Sequence, residues 1–225
     1  MKKISVVIPA LNEEDHIRPC LASVQALRRH GHEVIVVDGG SDDATCDLAT
    51  GFADQIISHP RGRACQMNHG AQKASGEIFL FLHADTCLPE HADLLIGEKI
   101  KDSPVYWGRF KVRLSGTHWL FRITEILMNT RTRITGIVTG DHVLFISKEL
   151  FEQVGGYPAL PLMEDIAISK KINKIVPPIC LNQHVVTSSR RWEQHGIIKT
   201  VLKMWWFRLA FFFGTDPARL SRQYD

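Results

Sequence analysis

Glu33-Val34-Ile35-Val36-Val37-Asp38-Gly39-Gly40-Ser41-Asp42-Asp43-Ala44-Thr45 joins a short β-branched run to a pair of glycines and a cluster of helix-capping side chains. An apolar run of that length, closed by a turn, reads as a strand buried on both faces, the pattern of a parallel sheet. Three similar runs surround it, at residues 4–8, 54–58 and 77–82. The intervening stretches 12–30, 42–50 and 61–74 are long enough for crossover helices, with Ser41 or Asp42 as the cap of the second. Strand and helix alternate throughout this half. The alternation predicts an α/β sheet, mainly parallel and flanked by helices, with right-handed crossovers and a ligand site at the carboxyl ends of the strands. Pro19 inside the first helical stretch predicts a kink or a late start.

Beyond Pro104 the pattern changes. Residues 106–114 alternate as a strand, 119–130 read as a helix, and the Thr, Arg and Gly of 130–140 read as a loop. A strand at 143–146 and helices at 148–154 and 163–175 follow, before Pro177-Pro178 stops the chain. There is no internal repeat and no low-complexity stretch.

The 225 residues fit one domain with a modest appendage, and the 44% apolar content supplies a sizeable core. Basic side chains exceed acidic ones by 27 − 24 = 3, too few to imply nucleic-acid binding. The excess is local. Residues 168–225 carry ten basic and three acidic side chains, a net +7, which leaves −4 for the preceding 167. The five cysteines include no C-x-x-C pair, so a reducing cytosol is the expected setting. Met1-Lys2-Lys3 and the apolar run behind it end at Pro9 and read as a first strand, not a leader. No uncharged apolar stretch approaches the ~20 residues of a membrane span.

Polar clusters mark the strand ends. Asn12-Glu13-Glu14 follows the first strand, where acids either serve a site or simply meet a helix dipole. Asp38 ends the second strand, where a carboxylate can accept hydrogen bonds from a base or a ribose; a cap accounts for Ser41 and Asp42 but not for it. Arg61-Gly62-Arg63-Ala64, with Asn68 a turn later, suits phosphate binding or a solvated basic turn. His83-Ala84-Asp85-Thr86 closes the fourth strand, and alternate residues could place His83 and Asp85 on one metal or one ribose.

Together Val7-Ile8-Pro9-Ala10-Leu11-Asn12-Glu13-Glu14, the 37–45 block and the Asp85 motif resemble the family 2 glycosyltransferases, in order and spacing, over residues 4 to about 167. The His-Ala-Asp-Thr form and Thr187-Ser188-Ser189-Arg190-Arg191-Trp192 are similar to a small bacterial subgroup associated with radical-SAM/selenodomain proteins and arsenosugar biosynthesis. The resemblance implies a Rossmann-like GT-A fold with a nucleotide half at about 1–103, an acceptor half at about 104–190 and a C-terminal helical extension at 191–225. It places Pro9, Ala10, Asn12 and Glu13 near the nucleoside and Asp38 on the base. Arg61, Arg63 and Asn68 would border the nucleotide pocket, with His83 and Ala84 beside it.

Asp85 would bind a divalent metal, Mn²⁺ or Mg²⁺, bridging the donor diphosphate. The family's usual motif is Asp-x-Asp, and His83 stands at its first position. Imidazole is a poor Mg²⁺ ligand but suits Mn²⁺. By the same resemblance Asp165 is the general base, Glu164 supports it, and Asp141 lies on the acceptor side. The implied partners are a UDP- or GDP-linked sugar donor and a small or lipid-linked hydroxyl acceptor. Trp107 reads as a core aromatic or a sugar-stacking surface.

Residues 197–213 are the most aromatic part of the chain, and positions 197, 201, 205, 208 and 212 form one helical stripe interrupted by Arg208. A final core helix, an oligomer interface and an interfacial membrane contact all fit this stretch. A sugar nucleotidyltransferase is the alternative enzyme, but it needs a glycine-rich basic loop after the first strand, and 9–13 is acidic without glycine. An inactive sugar-nucleotide-binding module is the other alternative, and it would have little use for Asp38, Asp85 and Asp165 together.

Overall fold

The computed structural model describes residues 1–100 and 103–223. Lys101 and Asp102, next to the expected boundary between the halves, and the last two residues of the 191–225 extension lie outside the described residues. The first half runs β1 (Ile4–Ala10), α1 (Ile17–Arg29), β2 (Glu33–Asp38), α2 (Thr45–Ala49), β3 (Gln55–Ser58), α3 (Arg63–Lys73) and β4 (Ile78–Phe81). It continues with β5 (Thr86–Cys87) and α4 (Ala92–Ile100). The second half adds β6 (Trp107–Leu114), α5 (Trp119–Thr135), a 3-10 turn at Gly140–His142, β7 (Leu144–Ser147), α6 (Lys148–Gln153) and α7 (Glu164–Ile172). β8 (Ile179–Thr187), α8 (Arg190–His195), α9 (Ile197–Phe212) and α10 (Pro217–Ser221) complete the described chain.

Among the described residues the strands form one sheet of order β3-β2-β1-β4-β7-β6-β8-β5. β1 to β4 are parallel, β7 turns antiparallel against β4, and β6 pairs parallel with β8. Every residue of β2 is buried, as its unbroken apolar run requires. Apolar layers cover both faces, one around Val6, Val34, Leu80 and Phe110 with α1, the other around Val7, Ile35, Phe79 and Trp107 with α3. The close fit of α3 on β1 depends on Gly70, where an added Cβ would collide with Val7.

Several boundaries differ from the sequence reading for identifiable reasons. The first helix begins only at Ile17, so Pro19 sits in its first turn, where a missing N–H costs nothing. Neither Ser41 nor Asp42 caps α2: Asp43 Oδ1 accepts from Thr45 N at 2.9 Å, while Ser41 is held by Asp38. The expected loop at 130–140 is helical to Thr135, because the Thr132 hydroxyl bonds back to Met128 O and Gly136 ends the helix in the left-handed region. The helix expected at 163–175 is α7, starting after Met163 at φ +69°. β5, α4 and β8 were not anticipated. Trp107 is fully buried and donates to Val176 O at 2.7 Å, which makes it core and not a sugar platform.

Candidate active site

The loops after β1 and β2 are latched to each other. Asn12, at φ +53°, accepts from Asp42 N with its side chain and donates its own N–H to Ser41 Oγ at 2.9 Å. Glu13 N donates to Thr45 Oγ1, Glu14 N to Asp43 Oδ2, and Ala44 N to Glu14 Oε2. Beneath them the buried Gln66 amide donates to Ala10 O and Val37 O, tying the two strand ends together. Pro9 and Ala10 form the floor at the end of β1, with Ala10 buried. Asp38, 6% exposed, accepts from Gly40 N, Ser41 N and Ser41 Oγ. Those donors belong to its own loop, so the carboxylate builds the turn, and a nucleobase would have to share oxygens already in use.

Charge gathers beyond this floor, at the ends of β4 and α3. Arg63, His83, Asp85, Arg131, Asp141 and Arg208 are among the groups lining a cavity of about 170 Å³. A smaller adjoining cavity of about 80 Å³ shares Arg63, His83, Asp141, Met204 and Arg208 with it and reaches Glu164 and Asp165. The two are one cleft, roofed by α5 and α9. Ser188 N donates to Asp85 O at 3.1 Å, and Arg190 Nη2 lies 3.5 Å from Glu13 Oε2, so the 187–192 segment folds over the loops that carry Asp85 and Glu13.

The acids here stand against each other in poorly solvated space. Burial first, then the charges of Asp85 and Asp165, push Asp141 up to about 6. Asp165 is raised by burial, although it accepts from Gly140 N at 3.0 Å and Ile166 N at 2.7 Å, bonds that favour its ionised form. Glu164, 3% exposed, is raised by burial and by Asp165, and Arg63 Nη1 approaches it at 3.5 Å. Glu13 is raised by burial and by Asp85. Burial and the Arg63 charge lower His83 to about 4, which leaves its imidazole neutral at pH 7. An added Cβ at Gly140 would strike the His83 ring, so that glycine is what lets the Asp141 turn close against the β4 loop.

The turn is braced and strained. His142, fully buried, bridges Thr139 Oγ1 at 3.1 Å and Thr132 Oγ1 at 3.3 Å, and Val143 is held at φ +54°. A β-branched residue at positive φ is costly, and Met163, at φ +69° on the opposite wall, adds to that cost. Met163 directly precedes Glu164, and Val143 lies two residues beyond Asp141.

One stability consequence follows from Asp141. Its folded value near 6 lies above the ordinary 3.8, so between those values the folded chain holds the extra proton and stability falls as pH rises. The penalty is complete above about pH 6 and absent below the unfolded value. Asp141→Asn should therefore melt higher than the parent at pH 8 in chelator, at about 2–4 °C for each kcal/mol relieved. The difference should shrink towards zero at pH 4, and a difference independent of pH would contradict the assignment.

Not every expected residue reaches the cleft. Arg61 is exposed at the start of its loop, away from the lining of either cavity. Asn68 is spent on Tyr157, donating to its O at 2.8 Å and accepting from its N at 2.9 Å, and lines a separate cavity with Phe151 and Gly156. Arg131 and Arg208 were missed. Arg131 Nη2 donates to Thr139 Oγ1 at 3.3 Å and its charge acts on both Asp141 and Asp165. A helix read one turn further would have put it three residues beyond Met128 on the inward face. Arg208 had a signal, the break in the 197–212 stripe, which proves to be the side of α9 that Val201, Trp205 and Arg208 turn to the cleft. The residues of α9 buried in the fold are Thr200 and Phe207 instead.

Among the described residues no three His, Cys, Asp or Glu side chains form a metal cage. Asp85 and the neutral His83 both line the cleft and are donors that could hold a divalent cation together with substrate phosphates. The arrangement can hold an anionic ligand against arginines and present a carboxylate with raised proton affinity to a neighbouring hydroxyl.

Comparison with known proteins agrees with this architecture. A PGL/p-HBAD biosynthesis glycosyltransferase of Mycobacterium bovis is 35% identical over 168 residues, covering 68% of this chain. This chain spans 62% of that relative's length. A mannosyltransferase, PcManGT, from Pyrobaculum calidifontis, solved in complex with GDP-Man and Mn²⁺, superposes with TM-score 0.62 at 22% identity over 82% of this chain and 56% of its own. Glucosyl-3-phosphoglycerate synthase from Mycobacterium tuberculosis, solved with Mn²⁺, UDP and glucosyl-3-phosphoglycerate, gives TM-score 0.60 at 22% identity over 83% of this chain and 70% of its own. The fold is GT-A-like, a sheet flanked by helices with further helices at the C-terminal end. Glycosyl transferase family 2 matches residues 5–153, and the chain belongs to that family.

Proposed function

We propose that the cleft transfers a sugar from a nucleotide-diphosphate donor to a hydroxyl acceptor, with inversion at the anomeric carbon. The observation that carries the reading is the convergence of Asp85, Asp141, Asp165, Arg63 and Arg131 on one cleft at the carboxyl end of the parallel strands. Asp165 takes the acceptor proton, Glu164 and Arg131 set its charge environment, and Asp141 orients the acceptor. Pro9, Ala10, Asn12, Glu13 and Asp38 shape the nucleoside end, and Arg63 meets the diphosphate.

Asp85 and His83 would hold the divalent metal, whose chemistry when bound is neutralisation of the diphosphate charge. Mn²⁺ in both solved neighbours supports a divalent ion, and the donors named there support a UDP- or GDP-linked sugar. A small or lipid-linked alcohol is the acceptor. The 83–86 and 187–192 motifs support the finer placement in the radical-SAM/selenodomain-associated, arsenosugar-related subgroup. Five free cysteines suit a reducing, cytoplasmic setting, and no helix among the described residues is long and apolar enough to cross a membrane.

Thermal-shift screening of UDP- and GDP-sugars with Mn²⁺ and Mg²⁺ tests the reading. A cognate donor at ~100 times its dissociation constant stabilises the fold by ~2.7 kcal/mol. In a chain of this size that is a rise of about 5–10 °C. No shift with any nucleotide sugar in either metal would overturn it. Binding without donor hydrolysis or transfer would leave a binding module.

A further inference from the structure

α9 presents two apolar faces. Thr200, Met204, Phe207 and Phe211 turn towards the body of the fold, where Phe207 joins Leu162, Met163 and Ile166 in a small core. On the opposite side Ile198, Leu202, Trp206, Leu209 and Phe213 are 51–77% exposed, and with Trp205 and Phe212 they fall within an arc of about 120° at 3.6 residues per turn. A helix that needed only to pack would not carry a second apolar stripe facing water.

α5 repeats the pattern. Trp119, Ile123, Ile126 and Leu127 are exposed while Phe121, Thr124 and Met128 are buried. The two stripes meet at the cleft, because Leu127, 51% exposed, and Trp205, 60% exposed, both line its wall.

The solvent-facing charges on the two helices themselves are basic, with Glu193 of α8 and Asp216 beyond α9 as acids on the adjoining segments. α9 carries Lys199, Lys203 and Arg208 and no acid; α5 carries Arg122, Arg131 and Arg133, and its one acid, Glu125, is buried, accepting from Leu114 N at 2.7 Å. Lys170 adds a further cation at the far end, 5.3 and 5.5 Å above the Phe211 and Phe212 rings. Exposed Trp and Phe edged by Lys and Arg match the chemistry of an anionic bilayer surface, where aromatic rings enter the headgroup boundary and basic groups meet phosphates.

We propose that the α5/α9 face docks on an anionic lipid membrane. The surface carries this proposal without the transferase reading. Its consequence, that the cleft mouth between Leu127 and Trp205 opens towards lipid and admits a lipid-borne hydroxyl, does rest on that reading.

Co-sedimentation of the full chain with phosphatidylcholine vesicles, and with vesicles holding one quarter phosphatidylglycerol, tests it without donor or acceptor. The chain should pellet with the anionic vesicles, less so in 0.5 M salt, with a blue shift in tryptophan emission. Trp206→Ser/Phe213→Ser and, separately, Lys199→Glu/Lys203→Glu should lower the bound fraction by about tenfold or more at unchanged circular dichroism. Ile123→Ser/Ile126→Ser on α5 serves as a third variant should either α9 variant fold poorly. No pelleting, or pelleting equal in all folded variants, overturns the proposal. A concentration-dependent dimer that Trp206→Ser/Phe213→Ser dissolves, with no vesicle binding, overturns it in favour of a second copy of the chain.

Discussion

Asp165→Asn should fold normally, bind donor with near-parental affinity and lose sugar transfer by about two to four orders of magnitude, the usual contribution of a positioned general base. A sugar hydroxyl is a poor nucleophile until its proton is taken. The position has the properties of such a base: backbone donors from Gly140 and Ile166 fix the carboxylate, while burial raises its proton affinity. Asparagine keeps the volume, gives up one of the two oxygens that accept from Gly140 N and Ile166 N, and loses the base, so the loss should fall on kcat at little change in donor affinity. The pH profile adds a second readout. The charge of Asp165 helps raise Asp141 to about 6, so the acidic limb of the parent includes the Asp141 titration, and Asp141→Asn should move it to lower pH by removing that group. A variant at position 165 that transfers at the parental rate, beside a Glu164→Gln or Asp141→Asn that does not, would show the base to be misassigned and leave the family membership untouched.

Asp85→Asn should abolish the metal-dependent part of donor binding, measured as the loss of the melting-temperature rise that Mn²⁺ adds to a nucleotide sugar in the parent. A diphosphate beside Asp85, with Glu13 and Asp141 near enough to feel its charge and Glu164 and Asp165 in the same cleft, collects more negative charge than Arg63, Arg131 and Arg208 offset. A cation resolves that imbalance. His83 supplies a neutral imidazole nitrogen at pH 7, so Mn²⁺ should support binding better than Mg²⁺. Equal affinity with and without EDTA in both proteins would remove metal from the reading, and equal or better binding with Mg²⁺ would remove His83 from the site.

The parallel half of the fold was legible because its information is local. The runs at 4–8, 33–38 and 77–82 are buried on both sides and announce themselves, and the polar residues that end them sit at strand ends by construction. β8 was not legible. Its middle, Asn182, Gln183 and His184, is exposed, and what makes it a strand is parallel pairing with β6 from about 70 residues away. Asn68 shows the same limit at a single side chain, since only the approach of Tyr157 decides that its amide is spent.

The sequence by itself determined the order of strand and helix as far as β4, the strand-end position of Asp38, the place of His83 and Asp85 just beyond β4, and the acidic pair Glu164-Asp165, because each is a matter of spacing along the local chain. Tertiary structure alone decided that Asp141, Asp165 and Arg131 meet, and that α9 turns Arg208 into the cleft while leaving a second apolar face exposed. Electrostatic coupling and burial depend on distances across elements far apart in the chain, and such distances exist only once the chain has folded.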